Sequence, residues 1–204
     1  MTPAELHDHF KAALSVFPTP EEENGFRALI EATGVETFLT GLLFIRLHAA
    51  GHHISRDFPV GNHCAADLTL HRPETVHIEL KQLHLKDGCR YAPQNLTNDL
   101  RRHGSTTSLG ILYIADERFS TTVQQFQRHG GANRRAKRDL ASIHAEFPRF
   151  FRTVHPTTAE NGLLREFKDH GGLRLYAFVV SDPLTARDMT PNPVLQRTAA
   201  SGRR

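Results

Sequence analysis

The chain lacks several features that would each announce a class of protein. It has only two cysteines in 204 residues, Cys64 and Cys89, too few for a disulfide scaffold. No Cys-x-x-Cys or His-Glu-x-x-His occurs, and the spacings of His52, His53, His63, Cys64, His71, His77, His84 and Cys89 match no zinc-ligand framework. A serine-hydrolase Gly-x-Ser-x-Gly elbow is missing, and neither cysteine has the helix-start context of a reactive thiol. Gly130-Gly131 lacks the Gly-Lys-Ser/Thr ending of a phosphate-cradling loop. No apolar run reaches the ~18–20 residues that span a bilayer; the longest, around Phe38–Leu47, is interrupted by Thr40, Gly41 and Arg46. The first residues do not form the basic-then-apolar pattern of a secretory signal. A cytoplasmic protein without a membrane partner is the default expectation.

What is present is an ordinary globular composition, 39% apolar and 23% charged, in a chain long enough for one domain with a proper core. The net charge is only +3, so charge alone does not announce nucleic acid. The basic residues are uneven, however: Arg128, Arg134, Arg135, Lys137 and Arg138 form a run opposed only by Asp139. Such a run is either a solvated face or a patch that meets phosphates.

Thr2-Pro3-Ala4-Glu5 predicts a capped helix running to about Val16. A second helix follows Thr19-Pro20 to about Ala32. Thr33-Gly34-Val35-Glu36 reads as a capping box for a third, ending at Gly51. His53–Phe58, Ala65–His71 and Thr75–Leu83 alternate as strands. Helix is expected at Ala92–His103, strand at Gly110–Ala115, helices at Ser120–Arg128 and Arg135–Phe147, strand or loop at Phe150–Val154, and strand at Leu173–Ser181. This order predicts an α/β domain over residues 1–182, helical over 1–50, with a core over 35–115 and C-terminal elements over 116–182. Residues 183–204, holding Pro183, Pro191 and Pro193, read as a frayed tail.

The segment from Ala65 to Lys81 carries the chemistry. In its first arm Ala66, Leu68 and Leu70 point one way and Asp67, Thr69 and His71 the other; in its second, Val76, Ile78 and Leu80 oppose His77, Glu79 and Lys81. Closing the hairpin through Arg72-Pro73-Glu74 sets Leu70 against Val76, Leu68 against Ile78, and Asp67 against Glu79. A one-residue slip would oppose apolar to polar residues along the whole ladder. Facing carboxylates, with β-carbons ~4.5–5.5 Å apart, repel, so a shared proton, a cation such as Lys81, or a metal ion must compensate. Mg²⁺ suits a pair of carboxylates completed by waters and phosphate oxygens.

Asp67 followed by Glu79-Leu80-Lys81 at the end of the next strand resembles the core of the PD-(D/E)XK nuclease superfamily. The resemblance covers roughly Val35 to Ala115 and departs from the motif at Ala66, where a Pro would stand. It implies a restriction-endonuclease-like core, a central mixed β-sheet flanked by helices, with extra N-terminal helices here. It further implies Mg²⁺ (or Mn²⁺) held by Asp67, Glu79 and the backbone carbonyl of Leu80, Lys81 assisting the attacking water, and DNA as substrate, RNA remaining open. Members often place another Glu on the first core helix. Glu36 fits, though it already has work as the partner of a Thr33 cap, and Glu31 is a weaker substitute. Arg102 and Asn95, on the helix after the motif, are phosphate-contact candidates, as are Arg134, Arg135, Lys137 and Arg138. His77 shares the face of Glu79 and reads as a bystander. Cutting both strands would favour a homodimer. The rival reading is a nuclease fold without activity that serves as a nucleic-acid-binding or protein-interaction module; the presence of Asp67, Glu79 and Lys81 together argues for an enzyme.

Overall fold

The computed structural model describes residues 1–15, 25, 28, 32–60, 64–83, 91–104, 106–115, 144–155, 163–167 and 173–185. Helix α1 spans Pro3–Leu14. Thr2 caps it as expected: its hydroxyl accepts from Glu5 N at 3.2 Å, and its own backbone N–H donates to the Glu5 carboxylate at 2.6 Å. Leu6, Phe10, Ala13 and Leu14 recur at helical spacing and are buried.

Helix α2 spans Val35–Ala49, and here the expected Thr33 cap is corrected. The N-cap is Gly34 at φ 81°, and no side chain caps the helix. That left-handed conformation suits glycine, which has no β-carbon to clash. Glu36 is therefore released from any capping duty. The second expected helix is described only at Gly25, Ala28 and Ala32, and Ser120–Arg128 lies outside the described residues. Of the expected helix Arg135–Phe147 only the end is described, where His144 is helical, 145–146 form a turn and a 3-10 helix spans Phe147–Arg149.

Strands β1 (Ile54–Pro59), β2 (Ala65–Leu70), β3 (Val76–Gln82), β4 (Thr107–Ala115), β5 (Phe151–His155), β6 (Leu163–Phe167) and β7 (Leu173–Pro183) join in a mixed sheet of order β1-β2-β3-β4-β7-β5, with β6 also on β7. Phe151–His155 settles as strand, and β6 was not expected. β3 and β4 are parallel, bridged by helix α3 (Tyr91–Arg102); the other pairs are antiparallel. A parallel pair needs such a crossover.

Alternation along the central strands sorts side chains to two faces. Leu68, Leu70, Ile78, Leu80, Leu109, Ile111, Leu175, Ala177 and Val179 pack with Leu6, Phe10, Leu39, Leu43 and Leu47 of α1 and α2. Leu112, Ile114, Phe178 and Val180 pack with Leu96 and Leu100 of α3 and with Phe147 and Phe151. The result is a mixed sheet with helices on both faces, as the sequence predicts at the level of fold class. Among the described residues no helix is long and apolar enough to cross a membrane.

Gly110 sets how closely α3 approaches the sheet. A β-carbon there would lie 2.7 Å from Leu96 Cδ2, so the missing side chain lets the helix settle onto β4. Gly110 lies across from Glu79 in the β3–β4 register. The close approach thus occurs beside the polar end of β3.

Candidate active site

The hairpin has the expected register: Leu70 pairs with Val76, Thr69 with His77 and Leu68 with Ile78. Pairing stops there, one step before Asp67 and Glu79. Beyond it the Asp67 carboxylate takes over from the backbone ladder, its Oδ2 accepting the Leu80 N–H at 2.7 Å. The N–H and C=O of a strand residue point to the same side, so the Leu80 carbonyl is directed toward β2 as well. The acidic residues therefore meet where two strands part, rather than as a regular cross-strand pair.

Glu79 is 5% exposed. Burial, then the Asp67 charge and a hydrogen bond with Asp67, then Asp99, push its carboxyl up to about 9, against the pull of Lys81. Such a pKa keeps the Glu79 carboxyl protonated, which relieves the repulsion between facing carboxylates. His103, immediately after α3, bonds Glu79 Oε1 through Nε2 at 3.0 Å, and its Nδ1 is 3.0 Å from Ser108 Oγ. Burial holds His103 below its usual pKa despite Asp99 and Asp67 nearby. Ser108 Oγ donates to Thr106 O at 3.2 Å, so its oxygen accepts from His103 Nδ1–H, and Nε2 of the neutral ring, a tautomer assigned from this network, is left to accept the proton of the Glu79 carboxyl. His77 is buried, bonded to Thr69 Oγ1 at 2.9 Å, and its ring lies 5.0 Å from that of His103. It is part of the support rather than an isolated bystander.

Lys81 shares the face of Glu79 and lies 3.3 Å from Asp99 Oδ2. Burial alone would lower its pKa, but Asp99, Glu36 and Glu79 together outweigh it and raise the ammonium above its usual range. Lys81 is a fixed cation here. Arg102, an exposed residue, also reaches Asp99, at 3.2 Å, while Asn95 is exposed on the same helix. Arg134, Arg135, Lys137 and Arg138 lie outside the described residues.

Glu36, at the start of α2, belongs to this group. Much of its side chain is exposed, yet the protein around its carboxyl raises its pKa; Asp67 and Asp99 add to the rise and Lys81 opposes it. The Tyr113 side chain is 1% exposed and its hydroxyl has no hydrogen-bond partner among the described residues. Burial, then Glu36 and Asp67, push the phenol well above its usual pKa.

Asp67, Glu79 and Lys81 are thus brought together, with Glu36 near enough for its charge to act on Lys81. Sequence reasoning missed Asp99, His103 and Tyr113. Asp99 and His103 stand four residues apart, hence on one helical face, which was the available signal. Among the described residues no group of three or more His, Cys, Asp or Glu side chains converges as a metal cluster. Two carboxylates completed by a backbone carbonyl and waters would not form such a cluster, and the burial of Glu79 beside the Asp67 charge, which raises its pKa, is a crowding that a cation would relieve. The donor set fits a hard divalent ion. No family model, curated protein or solved structure matches the chain.

Proposed function

We propose that the chain hydrolyses phosphodiester bonds of DNA through a restriction-endonuclease-like, PD-(D/E)XK-type site. The observation that carries this reading is the meeting of Asp67 and Glu79 at the parting of β2 and β3, with the Lys81 ammonium on the same face. Asp67, Glu79 and the Leu80 carbonyl would hold Mg²⁺ or Mn²⁺. Bound there, the ion supplies a more acidic water and neutralises charge on the phosphate.

The protein's own groups have separable roles. Lys81, kept charged by Asp99 and its carboxylate neighbours, stabilises the negative charge that develops on the phosphoryl oxygens. Glu36, whose pKa is shifted upward, is the better-matched acceptor for the proton of the attacking water. His103 orients Glu79 and, with Ser108 behind it, fixes the carboxyl in one rotamer.

The decisive assay is cleavage of labelled linear, circular, single-stranded and branched DNA, with and without Mg²⁺, with RNA as a control. Wild type should cut only with metal, and Asp67→Ala, Glu79→Ala or Lys81→Ala should each lower the rate by at least ~10²-fold. Variants that cut as well as wild type would sink the assignment. Metal-independent binding without any cleavage would instead favour an inactive nuclease-fold module.

A further inference from the structure

Strand β1 contains a backbone irregularity with a particular outcome. Asp57 has φ 49° in the middle of the strand, a conformation non-glycine residues adopt only occasionally. Its neighbours keep a common register, Arg56 with Leu68 and Phe58 with Ala66, so Asp57 stands across from Asp67. In a regular strand Phe58 would share the face of Ile54, which packs against the α1–α2 core. Instead its ring lies 5.0 Å from His71 and 6.3 Å from His77, the latter at only 23° between planes. His77 in turn meets His103, the partner of Glu79. The left-handed residue breaks the alternation and turns Phe58 to the acidic side of the sheet.

Phe58 is not buried there: it remains 38% exposed. An aromatic ring turned by an unfavourable backbone conformation toward a polar site, yet left in contact with water, gains little from packing. Its neighbours reinforce the shelf. His71 is anchored by Ser55 at 2.8 Å, and His53 extends the ring row outward, 5.0 Å from His71. His77 and Glu79 are two residues apart on β3, about 6.6 Å along the strand, a nucleotide-sized step from shelf to acidic pair.

We infer that Phe58, backed by His71 and His77, is a stacking shelf for an unpaired nucleobase beside the scissile phosphate, so that the chain engages single-stranded nucleic acid or a flap, bulge or frayed end. This rests on the nucleic-acid reading above but not on hydrolysis itself. A base inside a duplex is already stacked on both faces and gains nothing from such a ring, whereas an exposed base offers a π-face.

The test is binding in EDTA, by fluorescence anisotropy, of a labelled single-stranded deoxyribonucleotide, its duplex and the matching ribonucleotide. Phe58→Ala should weaken single-strand binding by roughly 5- to 100-fold, Phe58→Trp should retain it, and duplex binding should not change. Abasic substitutions scanned along the strand should weaken wild type at one position and leave Phe58→Ala indifferent. This arm needs no variant to reveal the position, so a misfolded Phe58→Ala cannot rescue or hide the result. Equal binding by wild type and Phe58→Ala, equal losses on duplex and single strand, abasic scanning without a sensitive position, or no nucleic-acid binding at all would each overturn the shelf. Metal-dependent cleavage insensitive to Phe58 would remove the shelf and leave hydrolysis standing. Phe58-dependent binding without cleavage would do the reverse. The ribonucleotide arm decides which nucleic acid is preferred.

Discussion

The surface of the sheet that faces α3 has two halves of opposite character. Over β4 and β7 it is dry: Leu112, Ile114, Phe178 and Val180 meet Leu96, Leu100, Phe147 and Phe151. Over β2 and β3 it is polar: Asp67, Thr69, His77, Glu79 and Lys81 stand at the equivalent alternating positions. Both halves border on one helix, yet only the second withdraws ionisable groups from water at a cost that hydrogen bonds and protonation of Glu79 must offset. The apolar half holds the helix in place; the polar half uses that rigidity to fix Glu79 and Lys81. Stability and chemistry are divided between adjacent strands.

The contrast can be broken from the polar side with pH. Glu79 has a folded pKa raised above its unfolded value, so the folded state binds the extra proton. Its stabilising contribution is whole below about 4.5 and is lost as pH rises toward about 9. Denaturant midpoints should fall across that window, by at most about 1.4 kcal/mol per pH unit. Glu79→Gln, which keeps the hydrogen-bonding shape without the titration, should flatten the curve. A wild-type curve already flat between these limits would contradict a protonated Glu79 in the folded state. From the apolar side, Leu96→Ala should cost about 2–5 kcal/mol in urea unfolding and displace the curve without altering its pH slope. A slope change in that variant would mean the two halves are not independent. The smallest effect belongs to Tyr113→Phe, which removes a buried hydroxyl with no partner among the described residues. Thermal unfolding should show stability unchanged or raised by about 1 kcal/mol, and a loss of more than that would reveal a partner for the hydroxyl.

The hairpin register was legible in the sequence because period-two alternation leaves one parity for apolar residues to meet. Its parting at Asp67 was not, since that depends on a carboxylate competing with a backbone carbonyl for the Leu80 N–H. The capping box at Thr2 formed, whereas the similar pattern at Thr33 yielded to Gly34, whose backbone freedom no side-chain pattern expresses. β6, Leu-Leu-Arg-Glu-Phe, lacks strict alternation and, among the described residues, pairs only along β7, so periodicity gave no signal. Asp99 and His103 enter the site through the crossover helix, a long-range consequence of the parallel β3–β4 pair. The same limit hid Phe58: alternation assigns it to the core face, and only the φ at Asp57 turns it away.

The position of β7 bears on how the molecule is made. It pairs with β4 along one edge and with β5 and β6 along the other, although it is the last strand described in the chain. During synthesis the β2–β3 hairpin, its crossover helix and β4 emerge first and can associate through mostly local contacts. β4 then presents an unpaired edge with Leu109, Ile111, Leu112 and Ile114 until residues 173–183 leave the ribosome. An open apolar edge is a template for pairing with another chain. Translation stalled or terminated before Leu173 would therefore release an acidic site already assembled on a half-sheet prone to self-association.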